Sequence, residues 1–103
     1  MSNWVEAAKA ADFADGDVRG VEIGVQAIAI YQVEGEFFAT DNVCTHAFAL
    51  LSDGYLDDCT IECPLHAGRF DIRTGKALGR PVTRDIKAYP VKVENGAVLI
   101  DVG

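Results

Sequence analysis

Short runs of alternating apolar and polar residues, separated by turn residues, make up most of the chain. Residues 91–93 and 97–100 lie on either side of Asn95-Gly96, a dipeptide that adopts the positive φ angles of a type I′ turn. This segment is therefore predicted to form a β-hairpin. The remaining predicted strands are residues 26–33 and 36–40 on either side of Glu34-Gly35, residues 18–23, residues 59–63 and residues 69–72.

The N-terminal region has mixed signals. Residues 5–13 contain four alanines, which favour a helix. Residues 4–6 alternate, however, and residues 12–17 resemble a turn, so we expect a strand followed by about one helical turn. Turns are also predicted at residues 52–54 and 73–76, and the second of these closes a hairpin whose first arm is residues 69–72. Strands of this length and spacing are typical of an all-β sandwich or barrel, and no break divides residues 1–103 into two domains.

The composition is that of one small globular domain. The chain has 103 residues, of which 50% are hydrophobic and 24% are charged. The longest mostly apolar stretch, residues 25–33, is interrupted by two glutamines and is shorter than the roughly 18 residues that a membrane span needs. The N-terminus has no basic segment followed by an apolar run, as a secretory signal would. We expect a cytoplasmic protein without a membrane span.

The net charge of -7 is unevenly distributed. Residues 1–62 carry twelve acidic and two basic side chains, whereas residues 63–103 carry four acidic and seven basic ones. A nucleic-acid partner is disfavoured, because a phosphate backbone binds a basic stripe. The acidic surface has two interpretations, a solubilising charge or electrostatic steering towards a basic protein partner.

Two pairs of metal-binding side chains carry the chemistry of this sequence. They are Cys44-Thr45-His46 and Cys63-Pro64-Leu65-His66, and they include both histidines of the chain. A structural zinc site usually pairs cysteine with cysteine and histidine with histidine, whereas each of these loops supplies one thiolate and one imidazole. A cluster in which one iron takes two Cys and the other takes two His fits two mixed loops better. The third cysteine, Cys59, lies outside both pairs and is interpreted as a small packed hydrophobe.

The chain has no dinucleotide-binding glycine motif, no Walker lysine motif and no nucleophile elbow. A mononuclear iron site of the two-His, one-carboxylate type would need two further histidines. The sequence therefore indicates an electron carrier with no organic substrate of its own.

At these motifs the sequence resembles the Rieske-type 2Fe-2S ferredoxins of bacterial aromatic-ring-hydroxylating dioxygenase systems, of the naphthalene and biphenyl dioxygenase type. The resemblance extends over nearly the whole chain. Besides the two Cys/His pairs it rests on the Trp4-Val5 start, YQVEGE at 31–36, LSDGYL at 51–56, GRFD at 68–71, TGKA at 74–77 and YPVK at 89–92. One departure is Ala47, where many relatives have glycine after the first histidine.

The resemblance implies a ligand set, a fold and a role. Cys44 and Cys63 would bind the buried iron of one 2Fe-2S cluster, and His46 and His66 the outer iron. The fold would be an antiparallel β-sandwich with a small cluster-binding subdomain at about residues 42–80. The protein would carry single electrons from an NAD(P)H-dependent flavoprotein reductase to the terminal oxygenase, as a monomer. Two alternatives stay open: the small Rieske subunit of an assimilatory nitrite reductase, and a zinc-stapled interaction module.

High-potential Rieske proteins have similar ligands, but they add a disulfide between the cluster loops and hydroxyl donors near the sulfurs. The corresponding positions here hold Ala49 and Leu65, and Gly68 and Phe70. Without those donors we expect a reduction potential towards the low end of the Rieske range, which begins at roughly -150 mV.

Three groups of residues are candidates for contact with partner proteins, and each also has a purely structural interpretation. An apolar group would shield the cluster from water or contact a partner protein. An acidic group would steer the approach of a basic partner protein. A basic group would form a patch that contacts a partner, or would lie in solvated turns. The groups are Phe48, Leu65 and Pro81; Asp53, Asp57, Asp58 and Glu62; and Arg69, Arg73, Lys76, Arg80 and Arg84.

Overall fold

The computed structural model describes residues 2–45, 49–65, 68–79 and 84–103. Its regular elements are β-strands and two short 3-10 helices, Ala10–Asp12 and Leu51–Asp53. The strands are β1 Trp4–Lys9, β2 Val18–Ile23, β3 Gln26–Val33, β4 Glu36–Asp41, β5 Tyr55–Asp57, β6 Thr60–Glu62, β7 Arg69–Asp71, β8 Ala88–Tyr89, β9 Val91–Glu94 and β10 Ala97–Asp101.

The strands form three antiparallel sheets. Their orders are β1-β10-β9, β2-β3-β4-β8 and β5-β6-β7. The predicted all-β class is confirmed. None of the helices in the part of the chain that the structure describes is long and apolar enough to cross a membrane.

The two predicted two-residue hairpin turns are present, and across the predicted turn at 73–76 Phe70 and Ala77 form an antiparallel bridge. Asn95 and Gly96 have φ angles of 51° and 78°, and Glu34 and Gly35 have φ angles of 51° and 82°. Two successive positive φ angles give the twist that connects neighbouring antiparallel strands through a two-residue loop. Glu34 adopts this conformation although it is not a glycine, and Asp15 accepts a hydrogen bond from its backbone N–H at 2.8 Å.

Tertiary pairing extends the first strand beyond the predicted residues 4–6. β1 runs through two of the four alanines to Lys9 and pairs with β10, and a single turn of 3-10 helix follows. Helix propensity is overridden here because pairing with β10 buries Ala7 and Ala8 partly against the core. β5 and β8 were not predicted, since each is only two or three residues long.

The core is divided into two layers by β3. Ile28 and Ile30 point into a cluster with residues of β4, β8 and β10, whereas Ala29, Tyr31 and Val33 point into a second cluster that contains Cys44 and Cys63. Successive side chains of a strand face opposite sides of a sheet. A strand that is buried on both faces therefore shows the continuous apolar run seen in the sequence.

Candidate metal centre

The first Cys/His loop begins at the end of β4 and is closed at its base by Asn42. The backbone C=O of Asn42 accepts a hydrogen bond from the N–H of Leu51 at 2.7 Å. Its side-chain oxygen accepts the N–H of Ser52 at 2.8 Å, and its amide donates to the Ser52 hydroxyl at 3.0 Å. The N–H of Cys44 then donates to the C=O of Ala49 at 3.0 Å. These contacts fix the backbone around Cys44.

The second Cys/His loop connects β6 to β7. Glu62 pairs with Arg69 in the sheet, and the N–H of Cys63 donates to the C=O of Gly68 at 2.6 Å. Cys63 is therefore the first residue of a loop whose two ends are held together by backbone hydrogen bonds. On the opposite edge β6 pairs with β5, so the small sheet supports this loop.

The two thiols meet in the interior. Cys44 and Cys63 are 3% and 1% exposed and belong to one apolar cluster with Leu51 and Phe70. Burial raises the pKa of the Cys63 thiol; the backbone N–H of Leu65 lowers this pKa, and the adjacent Cys44 side chain raises it by hydrogen bonding. Binding of a metal would lower the pKa of the thiol, because cysteine binds metals as the thiolate.

The donor set described in this structure fits half of a Rieske cluster site. Two adjacent cysteines on separate loops, with a backbone N–H directed at one sulfur, are what the cysteine-ligated iron of such a cluster requires. His46 and His66 lie outside the described residues, as do Ala47, Phe48, Arg80 and Pro81. Among residues 2–45, 49–65, 68–79 and 84–103, no group of three or more side chains could hold a metal ion.

Cys59 lies apart from the buried pair. It is half-buried at the edge of the same apolar cluster, and its backbone C=O accepts the N–H of Ile72 at 2.9 Å. Burial raises the pKa of its thiol, and the charge of Asp58 raises it further. The predicted packing of Cys59 as a small hydrophobe is confirmed.

A contact between distant segments was missed by the sequence analysis. The hydroxyl of Thr45 donates to the C=O of Arg84 at 2.9 Å, and the guanidinium of Arg84 donates to the C=O of Thr45 at 3.2 Å. The sequence showed only that Arg84 was a basic residue in a turn-like region. No local signal reveals a contact between residues 39 positions apart.

The basic and acidic candidates differ in their surroundings. Arg73 donates two hydrogen bonds to the carboxylate of Asp71, at 3.1 and 2.9 Å, and so belongs to a local turn. Asp53, Asp57 and Asp58 are exposed on and beside β5. This part of the surface is acidic, as the sequence predicted.

An antiparallel β fold that brings two buried thiols together on neighbouring loops fits a small metal-binding domain. Residues 3–90 match the family model of the Rieske [2Fe-2S] domain. The chain belongs to the Rieske [2Fe-2S] family, and one Rieske-type 2Fe-2S cluster is its cofactor.

Individual relatives agree with this assignment. The chain is 58% identical over 98 residues to the ferredoxin component of a naphthalene 1,2-dioxygenase system of Pseudomonas putida, covering 95% of this chain and 94% of the relative. A solved ferredoxin of Sphingomonas yanoikuyae B1 superposes with a TM-score of 0.92 at 46% identity, covering 98% of this chain and all of that one. A ferredoxin solved in complex with the oxygenase of carbazole 1,9a-dioxygenase superposes with a TM-score of 0.90 at 37% identity, covering 95% and 92% of the two chains.

These findings confirm the predicted family, fold class and cofactor. They also confirm that the chain is a Rieske ferredoxin of the dioxygenase-system type, an electron-transfer component and not an enzyme in its own right.

Proposed function

We propose that this chain carries electrons, one at a time, from an NAD(P)H-dependent flavoprotein reductase to the terminal oxygenase of an aromatic-ring-hydroxylating dioxygenase system. The observation that carries the proposal is the buried thiol pair of Cys44 and Cys63 in a chain that matches a dioxygenase ferredoxin component over almost its whole length. When bound, a Rieske cluster supplies a site that accepts and releases one electron. Two such deliveries support one two-electron turnover of the oxygenase.

Four side chains would hold the cluster. Cys44 and Cys63, buried and adjacent, would bind the inner iron. His46 and His66 would bind the outer iron, because each follows its cysteine by two or three residues in the same loop. The cluster-binding subdomain would comprise approximately residues 42–80, within a single domain formed by residues 1–103. The small sheet of β5, β6 and β7 and the short contacts at Asn42 support this division.

The chain would depend on other proteins both for taking electrons from NAD(P)H and for activating oxygen. Its two histidines are taken up by the cluster, so a separate mononuclear iron site for oxygen activation cannot be built from this sequence. It also has no glycine-rich dinucleotide motif for taking hydride from NAD(P)H. The protein would work in the cytoplasm as a monomer, since a shuttle presents the same cluster face to each partner in turn.

The exposed carboxylates around β5 would steer the encounter with a basic partner surface. Asp53, Asp57 and Asp58 form no ion pair among the described residues, so their charge is directed at solvent. Salt screens such interactions over a Debye length of about 8–10 Å at 0.1–0.15 M ionic strength. Electron-transfer rates to reductase and oxygenase are expected to fall as ionic strength rises; a flat profile would refute steering.

The first experiment is an EPR spectrum of the anaerobically purified, dithionite-reduced protein, together with assays for iron and acid-labile sulfide. A rhombic signal with an average g value below that of all-cysteine 2Fe-2S ferredoxins, with two irons per chain, is expected. Rapid reoxidation of the reduced protein by a terminal aromatic-ring oxygenase would then support the proposed role. A silent spectrum with stoichiometric zinc, or a stable complex with a sirohaem subunit, would refute it.

A further inference from the structure

The segment of residues 84–86 contacts both the first Cys/His loop and the turn that follows β7. On one side Arg84 and Thr45 exchange two hydrogen bonds, at 2.9 and 3.2 Å. On the other side the Asp85 carboxylate accepts the N–H of Ala77 at 2.8 Å, and the N–H of Ile86 donates to the C=O of Gly75 at 2.8 Å. Residues 84–86 therefore link the first loop to the hairpin that continues from the second loop.

This linking segment is anchored firmly at one end only. Ile86 is buried in the apolar cluster that contains Cys44 and Cys63. Gly75 approaches Ile86 so closely that a Cβ atom on it would lie 2.0 Å from the Ile86 carbonyl oxygen. Arg84, by contrast, is exposed, and the described contacts that hold its side chain in place are with Thr45. The reciprocal pair is thus the contact through which the anchored segment restrains the first loop.

We propose that Arg84 is a positioning residue for the cluster, an inference that rests on the proposed assignment of Cys44 and His46 as ligands. Thr45 lies between those two residues in the chain, so the Arg84 guanidinium places a positive charge against the backbone of the loop that binds the metal. Reduction adds one negative charge to a cluster, and a nearby positive charge stabilises the reduced state. Arg84 therefore both restrains the loop and raises the reduction potential.

The two effects are separable by substitution. Arg84→Met removes the charge and the hydrogen bond from the guanidinium to the Thr45 C=O. Arg84→Lys keeps the charge without the planar fork of donors. Thr45→Val removes the hydroxyl that donates to the Arg84 C=O without changing the charge. Lys92→Met is the control for loss of a positive charge elsewhere on the molecule, since Lys92 is a half-buried cation that lies over Trp4 and 3.7 Å from the Glu94 carboxylate, on the sheet of β1, β10 and β9. All four proteins are loaded with the cluster, and wild type is measured beside them.

The readouts are the reduction potential by EPR-monitored titration and the rate of cluster loss to a chelator. We expect Arg84→Met to have a lower potential than wild type and Arg84→Lys to restore it, with no shift in Lys92→Met. Cluster loss should be roughly twofold to tenfold faster in Thr45→Val and Arg84→Met, the range that loss of one hydrogen bond implies.

The outcomes discriminate between this inference and the proposed function. An unchanged potential in Arg84→Met, or an equal decrease in Lys92→Met, overturns the role of Arg84 while the Rieske signal of wild type remains. A wild-type protein that gives no Rieske signal overturns the assignment of the ligands and this inference with it.

Discussion

Replacement of Gly54 by alanine tests how the small sheet positions the second cluster loop. Gly54 immediately precedes β5 and has φ -90° and ψ -160°, a backbone conformation that alanine adopts without strain. A Cβ atom there would lie 2.1 Å from the backbone oxygen of Glu62 and 3.1 Å from that of Leu51. Relief of the first contact requires a movement of about 1 Å, since real Cβ contacts are not shorter than 3.0 Å. The atom that must move belongs to the residue before Cys63.

The magnitude follows from this geometry. Overpacking against a backbone atom that cannot rotate away costs about 1–3 kcal/mol. A domain of this size loses roughly 4–8 °C in Tm per kcal/mol, so the expected decrease is about 4–24 °C. The assay is cluster absorbance and far-UV circular dichroism of the loaded protein, heated at one fixed scan rate. We also expect less iron per chain, because displacement of Glu62 shifts Cys63.

Gly24→Ala is the matched control. Gly24 lies in the turn between β2 and β3 with φ +62°, and a Cβ atom on it would have no neighbour within 4 Å. Its replacement costs the left-handed backbone strain of about 1–2 kcal/mol but displaces nothing. Iron content should therefore stay at the wild-type value in Gly24→Ala. Full iron content and an unchanged Tm in Gly54→Ala would refute the steric argument.

Three further predictions concern single sites. The hydrogen bond from the Arg73 side chain holds the pKa of Asp71 below its usual range. The pair therefore stabilises the native state above the unfolded pKa of about 3.9, and this contribution is lost as pH falls through the native pKa. The Tm difference between wild type and Asp71→Asn should shrink below about pH 4, and a constant difference would contradict this reasoning. Cys59→Ala should keep two irons per chain and the wild-type EPR spectrum, since Cys59 packs at the edge of the core; loss of iron would make it a ligand. Because Gly68 and Phe70 have no hydroxyl to donate, the reduction potential should lie near the low end of the Rieske range, at roughly -150 mV, and a value well above zero would refute this.

The predicted strands and the ligand candidates came from different kinds of signal. Asn95-Gly96 identified a hairpin because the conformational preferences of those two residues are local. The paired motifs at Cys44 and Cys63 identified the cofactor because iron ligation demands particular side chains at particular spacings. Both signals act within a few residues of the chain, so a single sequence is enough to interpret them.

The environment of the site was decided by contacts across long stretches of chain. Two hydrogen-bonded pairs show this: Asn42 with Ser52, 10 positions apart, and Thr45 with Arg84, 39 positions apart. The residue types at these positions do not indicate which distant residue each will contact. Helix propensity at residues 7–9 was likewise overridden by pairing with β10, which lies at the other end of the chain. Such outcomes depend on which surfaces meet during folding, and composition and propensity do not specify that.

The sequence by itself therefore determined the class of fold, the two metal-binding motifs, the cofactor and the absence of nucleotide-binding motifs. Only the tertiary structure decided that β3 is buried on both faces, that Cys44 and Cys63 meet in one apolar cluster, and that Gly54 lies against the backbone of Glu62. The physical reason is the range of the interactions. Turn geometry and ligand chemistry act locally, whereas burial and close packing depend on residues that only the folded chain brings together.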